Sequence, residues 1–475
     1  MRVGIIGGGV GGLAAAHDLL KSGHQVALYE RAPFLGGLAS TFNVGGGRLE
    51  RFYHHLFTSD TTIIALLQEL GLGDRLIWEH SKVGWFTNGH IYPFSTPMDL
   101  LWRFKPVSLP NRIRMGLVTI YLQRLKNWKK LEGTTASAFM RKWSGKRNYE
   151  VFWEPLLNGK FSIYKEQVAM PWLWAKFATR TTSRDKLGKE KLAYIRGSWG
   201  VLIDELERRI KAMGGEVHVG ATVTRITTAE GRVTGLAVQG ADGQKSERPF
   251  DIVLSTVPTF LLPRLVDLPE EYAAKCRAVE YEGAIAVVWV LKRPFTHIYW
   301  LNIGTADIPF LLVLEQTNLV PASEYGGKHI IYTANYVPAS DYRWPMSPQE
   351  IVKSYIPHLR KINPDFDESW VEETFVHKEP AAQPIMTTHY SRKIPPVKTP
   401  IEGLWTAAMS QVYPMDRGTN YSIQLGVEVA RRAVAETKAG TETEMAALPQ
   451  GAFRKGKSCW CPNAISEGNL IRPRP

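Results

Sequence analysis

The sequence has few cysteines, no long apolar run and, across one stretch of a hundred residues, very little acid. Three cysteines in 475 residues (Cys276, Cys459 and Cys461) cannot build a disulfide framework. Cys459-Trp460-Cys461 has no partner pair, so no metal site is expected. The longest apolar runs, such as AIAVVWVL at 284–291, fall well short of the ~20 residues that a membrane span needs. Met1 leads almost at once into a strand and a glycine loop, so no cleavable leader is expected. A reducing, cytoplasmic compartment is the default reading. No internal repeat is visible. Hydrophobic content of 44% with 22% charged residues excludes a disordered chain, and the length provides for two or three domains.

The net charge of +13 is unevenly spread. Residues 101–200 hold 21 basic and only 6 acidic side chains, and 7 of the 15 tryptophans; elsewhere the charges nearly cancel. Within that stretch, residues 112–131 set Ile113, Leu117, Ile120, Tyr121, Leu125, Trp128 and Leu131 near one helical face. Arg124, Lys126, Lys129 and Lys130 gather towards the C-terminal half. The expected reading is a helix whose apolar face meets the core and whose basic face is solvated. Two alternatives stay open: contact with an anionic membrane surface through residues 101–200, and an anionic substrate. Nucleic acid is not expected, because no nucleic-acid motif accompanies the charge.

At the N-terminus, the β-prone run Val3 to Ile6 precedes Gly7-x-Gly9-x-x-Gly12, including Gly11, and then a helical stretch from Leu13 to Lys21. A second strand, Gln25 to Glu30, ends in an acid eighteen residues past Gly12. The first glycine permits a tight turn, the second lets backbone approach a pyrophosphate, and the third lets helix and strand pack closely. A helix N-terminus supplies free N–H groups and partial positive charge to phosphates, and Glu30 can accept ribose hydroxyls. A bare glycine motif is weak evidence; the flanking strand, helix and acid make it strong.

After Glu30-Arg31 comes a second glycine pair, Gly36-Gly37-Leu38-Ala39. Here the chain resembles the FAD-binding superfamily that contains flavin amine oxidases, protoporphyrinogen oxidases and phytoene desaturases. The resemblance implies that FAD is the cofactor, with the doublet along its flavin half. It also implies that the Val223 backbone lies near the adenine. Gly418, Thr419 and Asn420 would then open a final helix pointing at the flavin, where the helix dipole favours the charge of the reduced ring. No cysteine lies near Gly418, so non-covalent FAD is expected. The lysine that amine oxidases carry beside the flavin falls here at Ala286, which argues against amine oxidation. His54-His55 resembles the flavin-facing segment of UDP-galactopyranose mutases.

These readings give an α/β fold (α+β overall), with a discontinuous Rossmann-like FAD-binding domain and a mixed helical and antiparallel-sheet substrate domain. Residues 1–75, 190–260 and 400–437 are assigned to the FAD domain. Residues 76–189 and 261–399 are assigned to the substrate or cap domain, and 438–475 to a C-terminal tail. A helix is expected over 421–437, and Glu216 to Val219 with Val223 to Thr227 reads as a strand pair. Candidate catalytic residues are His55, Tyr413 and Arg417, with Asp416 and Tyr421 flanking the same loop. The expected activity is hydride removal from a substrate carbon, the substrate being a small molecule, lipophilic or anionic. A redox-neutral sugar mutase, an amine oxidase and a partner-binding flavoprotein without turnover are the alternatives.

Overall fold

The computed structural model describes residues 1–185 and 188–446. Its first layer is a five-stranded parallel sheet in the order Glu216–Val219, Gln25–Glu30, Arg2–Ile6, Ile252–Ser255, Leu404–Thr406. Strands buried on both faces read as near-continuous apolar runs, and these do. Ile5 pairs with Leu28 on one side and with Leu254 on the other. Val3, Ile5, Val26, Leu28, Ile252 and Leu254 point into one apolar cluster, whereas Ile6, Ala27, Tyr29 and Val253 point into another. The first cluster is covered by the helices Val10–Lys21, Trp199–Ala212 and Thr419–Ala446.

The other face is covered by an antiparallel sheet of Thr222–Ala229, Arg232–Gln239 and Lys245–Pro249. A Cβ on Gly4 would stand 2.9 Å from the Phe250 ring, so a glycine there allows the two sheets to meet. The expected pairing of Glu216–Val219 with the strand that follows it does not occur. The Gly220 and Ala221 N–H groups are drawn instead to the carbonyls of Ala32 and Glu30, both at 2.9 Å. That turn sends one strand into the parallel sheet and the next across its face.

A seven-stranded sheet forms the second body, with Val371–Pro384 at one edge, then Tyr281–Leu291, His329–Val337, Leu312–Glu315, Trp300–Ile303, Val83–Thr87 and His90–Pro93. It is antiparallel except where Trp300–Ile303 runs parallel to Val83–Thr87. Its outer face packs Ile285, Val287 and Trp289 against Ile351, Tyr355 and Leu359 of the helix Pro348–Ile362. A capping box between Ser347 and Glu350 starts that helix.

A helical region including Leu109–Arg124, Ala136–Ser144, Glu154–Phe161 and Met170–Thr182 is built around a separate aromatic core with Trp85, Phe104, Phe152, Trp153 and Trp172.

Two expectations are corrected. The last helix does not stop at 437 but runs to Ala446, so the expected tail is partly helix. The remainder, with Cys459, Trp460 and Cys461, lies outside the described residues. The basic helix is also turned round. Met115 and Leu122 face inward, while Ile113, Leu117, Ile120 and Tyr121 face solvent. The helix ends at Arg124; of the expected stripe, Leu125, Trp128 and Leu131 beyond that end meet the core, and the part on the helix does not.

Candidate active site

The glycine loop adopts the geometry its spacing implies. Gly7 has φ +108°, a conformation L side chains rarely adopt, and its N–H reaches the Tyr29 carbonyl at 2.9 Å. A Cβ on Gly12 would stand 2.2 Å from the Gly7 carbonyl oxygen, so this position packs turn against helix. Gly9 meets nothing within 4 Å and leaves an open approach to the helix N-terminus. The second glycine pair folds back onto this loop, with the Gly36 N–H on the Gly8 carbonyl at 2.8 Å.

Glu30 already accepts the Gly8 N–H at 2.7 Å and the Ala32 N–H at 2.8 Å. Its carboxylate therefore shapes the loop and keeps lone pairs for further donors. Arg31 is exposed, Ala39 is buried, and Leu38 packs beside Phe52, Ala284 and Tyr336. Val223 is buried three residues after the turn that hangs from Glu30 and Ala32.

The last helix begins beside the first. A Cβ on Gly11 would meet the Ser422 carbonyl oxygen at 2.7 Å, and one on Gly426 the Gly11 carbonyl oxygen at 2.4 Å. Gly418, like Gly9, has open space where a side chain would be. Thr419 and Asn420 are buried, and the Asn420 amide oxygen accepts the Ile63 N–H at 3.1 Å, tying a third helix to this end. Two helix N-termini with bare backbone at Gly9 and Gly418 fit a dinucleotide carrying phosphates at one end and a reducible ring at the other.

Beyond Gly418 lies a buried charged cluster. The Arg417 guanidinium donates to the Tyr336 hydroxyl at 2.7 Å and to the Gln383 amide oxygen at 3.2 Å. Asp416 accepts the Trp172 indole N–H at 3.0 Å, binds Lys176, and has the Lys160 ammonium 3.9 Å away. Burial alone would raise the Asp416 carboxyl; Lys176, Lys160 and Arg417 outweigh it and hold the group well below the usual carboxylate range. Burial likewise opposes ionisation of Tyr336, yet Arg417 and Lys160 bring its phenol down to about 8. The Lys160 ammonium sits 4.1 Å from the centre of the Tyr336 ring. Three cations surround one carboxylate.

Sequence reasoning identified Arg417 and Asp416 but missed Lys160, Trp172, Lys176, Tyr336 and Gln383. One signal was present: Trp172 and Lys176 stand four residues apart on a helix and so share a face. Glu282 was also missed. It is fully buried, opposite Gln383 in the sheet, and both carboxyl oxygens lack a hydrogen bond. Burial, opposed by Lys160, pushes it up to about 8, so it is mostly neutral at pH 7.

The two histidines face opposite ways. His54 Nδ1 lies 2.6 Å from the Phe52 carbonyl oxygen, which can only accept, so Nδ1 carries the proton and Nε2 is left as an acceptor. His55 Nδ1 meets the Tyr299 hydroxyl at 3.1 Å, among Phe57 and Trp300. Burial lowers His54 to about 4 and His55 to about 3, so both are neutral. The charge of Arg417 adds to the depression at His54. Tyr413 packs edge-on to Trp128 and beside Tyr390 in the aromatic core, and does not join Arg417. Ala286 is fully buried on the sheet face shared with Val288 and Val290. Tyr421 is held up by burial, with Asp60 adding to the rise.

Comparison with known proteins decides the family. The pattern for flavin containing amine oxidoreductases matches residues 10–415. The chain belongs to that family. It is an FAD-dependent oxidoreductase, with the mixed helix-and-sheet fold of these enzymes and a Rossmann-like parallel sheet.

This flavoprotein is 27% identical over 301 residues to a protein of Synechococcus elongatus described as a probable zeta-carotene desaturase. The match covers 57% of this chain and 61% of that relative, so the chain spans about six-tenths of its length. In fold it is similar to an oxidoreductase from Methanosarcina mazei (TM-score 0.68, 19% identity, 92% of this chain and 100% of that one). It is also similar to a reduced UDP-galactopyranose mutase (TM-score 0.69, 16% identity, 92% and 96%). At these identities the structural likeness concerns the fold alone.

Proposed function

We propose that this flavoprotein removes a hydride from a carbon of a lipophilic or anionic substrate, in the manner of a desaturase or porphyrinogen oxidase. A polyene or cyclic tetrapyrrole is the first substrate class. The observation that carries this reading is the excess of cations packed around the largely buried Asp416. Amine substrates arrive largely as ammonium ions, and a desolvated site with three cations and one carboxylate repels them. A neutral hydrocarbon pays no such penalty, and a carboxylated substrate gains from the cations. Ala286 at the position expected for the amine oxidases' lysine supports the same choice. The desaturase relative is consistent with it.

When bound, FAD supplies the two-electron acceptor for such an oxidation. Gly9 and Gly418 leave backbone N–H groups for it, and Glu30 completes the first loop. Arg417, fixed by Tyr336 and Gln383, orients an anionic group or balances charge beside the reacting carbon. His54 and His55, both neutral, add no competing charge. Of the three catalytic candidates, Arg417 has this cluster in its support; His55 and Tyr413 remain candidates at the aromatic walls. The division into FAD domain and substrate domain is part of this reading, as is a cytoplasmic location with a membrane surface in reach of residues 101–200.

A second reading, a redox-neutral mutase acting on a nucleotide-sugar, is favoured by the same cations, which suit a diphosphate. Anaerobic mixing of the holoprotein with porphyrinogens, polyenes, amines and nucleotide-sugars separates the two. Bleaching of the flavin by a polyene or porphyrinogen is the expected result. Turnover of a nucleotide-sugar only by pre-reduced protein supports the mutase, and bleaching by amines alone overturns both.

A further inference from the structure

Thirteen large apolar side chains are exposed among the described residues, and nine of them lie between Met98 and Ile163. Five belong to the single helix Leu109–Arg124. Leu109, Ile113, Leu117 and Ile120 fall within one narrow arc at 100° per residue, with Tyr121 at its edge. Ile113, Leu117, Ile120 and Tyr121 are 44% to 63% exposed. Met98 and Trp102 continue the surface, because the turn Asp99–Arg103 is tied to this helix by the Arg112 guanidinium on the Leu101 carbonyl at 2.7 Å. Trp143 joins from the other side through its carbonyl, which accepts from Arg114 Nε at 2.7 Å. A contiguous apolar surface of this kind marks an interaction site.

Charge identifies the occupant. From residue 98 to 131 there are eight basic side chains and one acidic one, Asp99, which is buried, accepts the Ser95 and Thr96 N–H groups and pairs with Arg103. Arg103, Lys105, Arg124, Lys126, Lys129 and Lys130 are all exposed. An apolar ridge rimmed by exposed cations in large excess over acid matches an anionic lipid surface, where the ridge enters the acyl boundary and the rim meets the headgroups. No helix among the described residues is long and apolar enough to cross a membrane; the contact is therefore in the plane of the surface.

We infer that the helix Leu109–Arg124, with Met98 and Trp102, is an in-plane anchor that docks this protein on an anionic bilayer. The inference sharpens the reading of residues 101–200 as membrane-facing and is independent of the redox chemistry. The anchor is coupled to the site. It packs on the helix Met170–Thr182, whose Trp174 indole donates to the Leu125 carbonyl at 2.9 Å and whose Trp172 and Lys176 reach Asp416. Docking thus sets the charged cluster one helix away from the lipid.

The test is co-sedimentation of the yellow holoprotein with vesicles of phosphatidylcholine alone and with about 30% phosphatidylglycerol added. Wild type is expected to bind the anionic vesicles, less so as salt rises, and to leave neutral ones largely unbound. The double variant Ile113→Asp/Leu117→Asp should lose about tenfold or more in partitioning while keeping its flavin spectrum and melting temperature. Lys126→Gln/Lys129→Gln/Lys130→Gln should lose several-fold, on anionic vesicles only. Three outcomes overturn the inference: no binding by wild type, undiminished binding by the apolar double variant, or equal binding to neutral vesicles. Self-association in solution that the double variant abolishes would also overturn it, by making a second copy the occupant. Protein that binds vesicles yet oxidises nothing in the substrate panel leaves the anchor standing and removes the oxidase reading.

Discussion

Lys126 and Lys176 come from the same basic hundred residues, yet their surroundings differ completely. Lys176 is packed beside Asp416 and Trp172, where burial lowers its ammonium and Asp416 opposes that. Lys126 is exposed just past a helix whose Ile113, Leu117, Ile120 and Tyr121 are themselves outside. In the first place a charge is expensive to leave unpaired and fixes geometry. In the second it is cheap, screened by salt and available to a partner. Net charge by region therefore conflated two devices, one that organises the site and one that addresses a surface.

The contrast is most easily broken at Asp416. Asp416→Ala leaves Lys160, Arg417 and the partly exposed Lys176 without their carboxylate, and the cost should be up to about 3 kcal/mol, read by denaturant unfolding of the holoprotein. A loss no larger than that of a surface substitution would show that the cluster is solvated after all. Because the folded carboxyl is depressed, its stabilisation is fully present above the ordinary carboxylate range. It declines once the pH drops below that range, as the unfolded chain takes up the proton first, and is gone below the folded value, so wild type should keep this contribution down to about pH 5.

Tyr336 offers an intermediate effect. With its phenol brought to about 8, the ultraviolet signature of a tyrosinate should emerge near that pH in wild type and be missing in Tyr336→Phe. Stability from this group grows as the pH rises through the folded value towards the unfolded one near about 10. Onset only with the bulk tyrosines would separate Tyr336 from the field of Arg417 and Lys160.

The smallest effect belongs to the exposed helix. Ile113→Asp with Leu117→Asp should change unfolding free energy by no more than about 0.5 kcal/mol. A large loss would mean that the stripe is core after all.

Local features were legible in the sequence. Gly7, Gly9, Gly12 and Glu30 act within one turn and one strand end, so their spacing carries their geometry. The charged cluster was not legible as a unit, because Lys160, Lys176, Tyr336, Gln383 and Asp416 come from separate elements that only tertiary packing joins. Periodicity revealed the apolar stripe of the basic helix but not which side faces out; Met115 and Leu122 sufficed to hold its other side inward. The strand Val371–Pro384 escaped notice for a different reason. It is an edge strand, so it needs little apolar alternation and tolerates Pro380 where the pairing slips between Glu282 and Ala284.

The contact between Gly11 and Gly426 has a consequence for the order in which the molecule is built. The glycine loop is translated more than 370 positions before its facing helix and the strand Leu404–Thr406. Throughout that interval the nascent chain carries half a cleft with an open sheet edge. The cleft is therefore completed only when that strand and helix have been made, and ribosome stalling before residue 400 should yield chains that do not turn yellow.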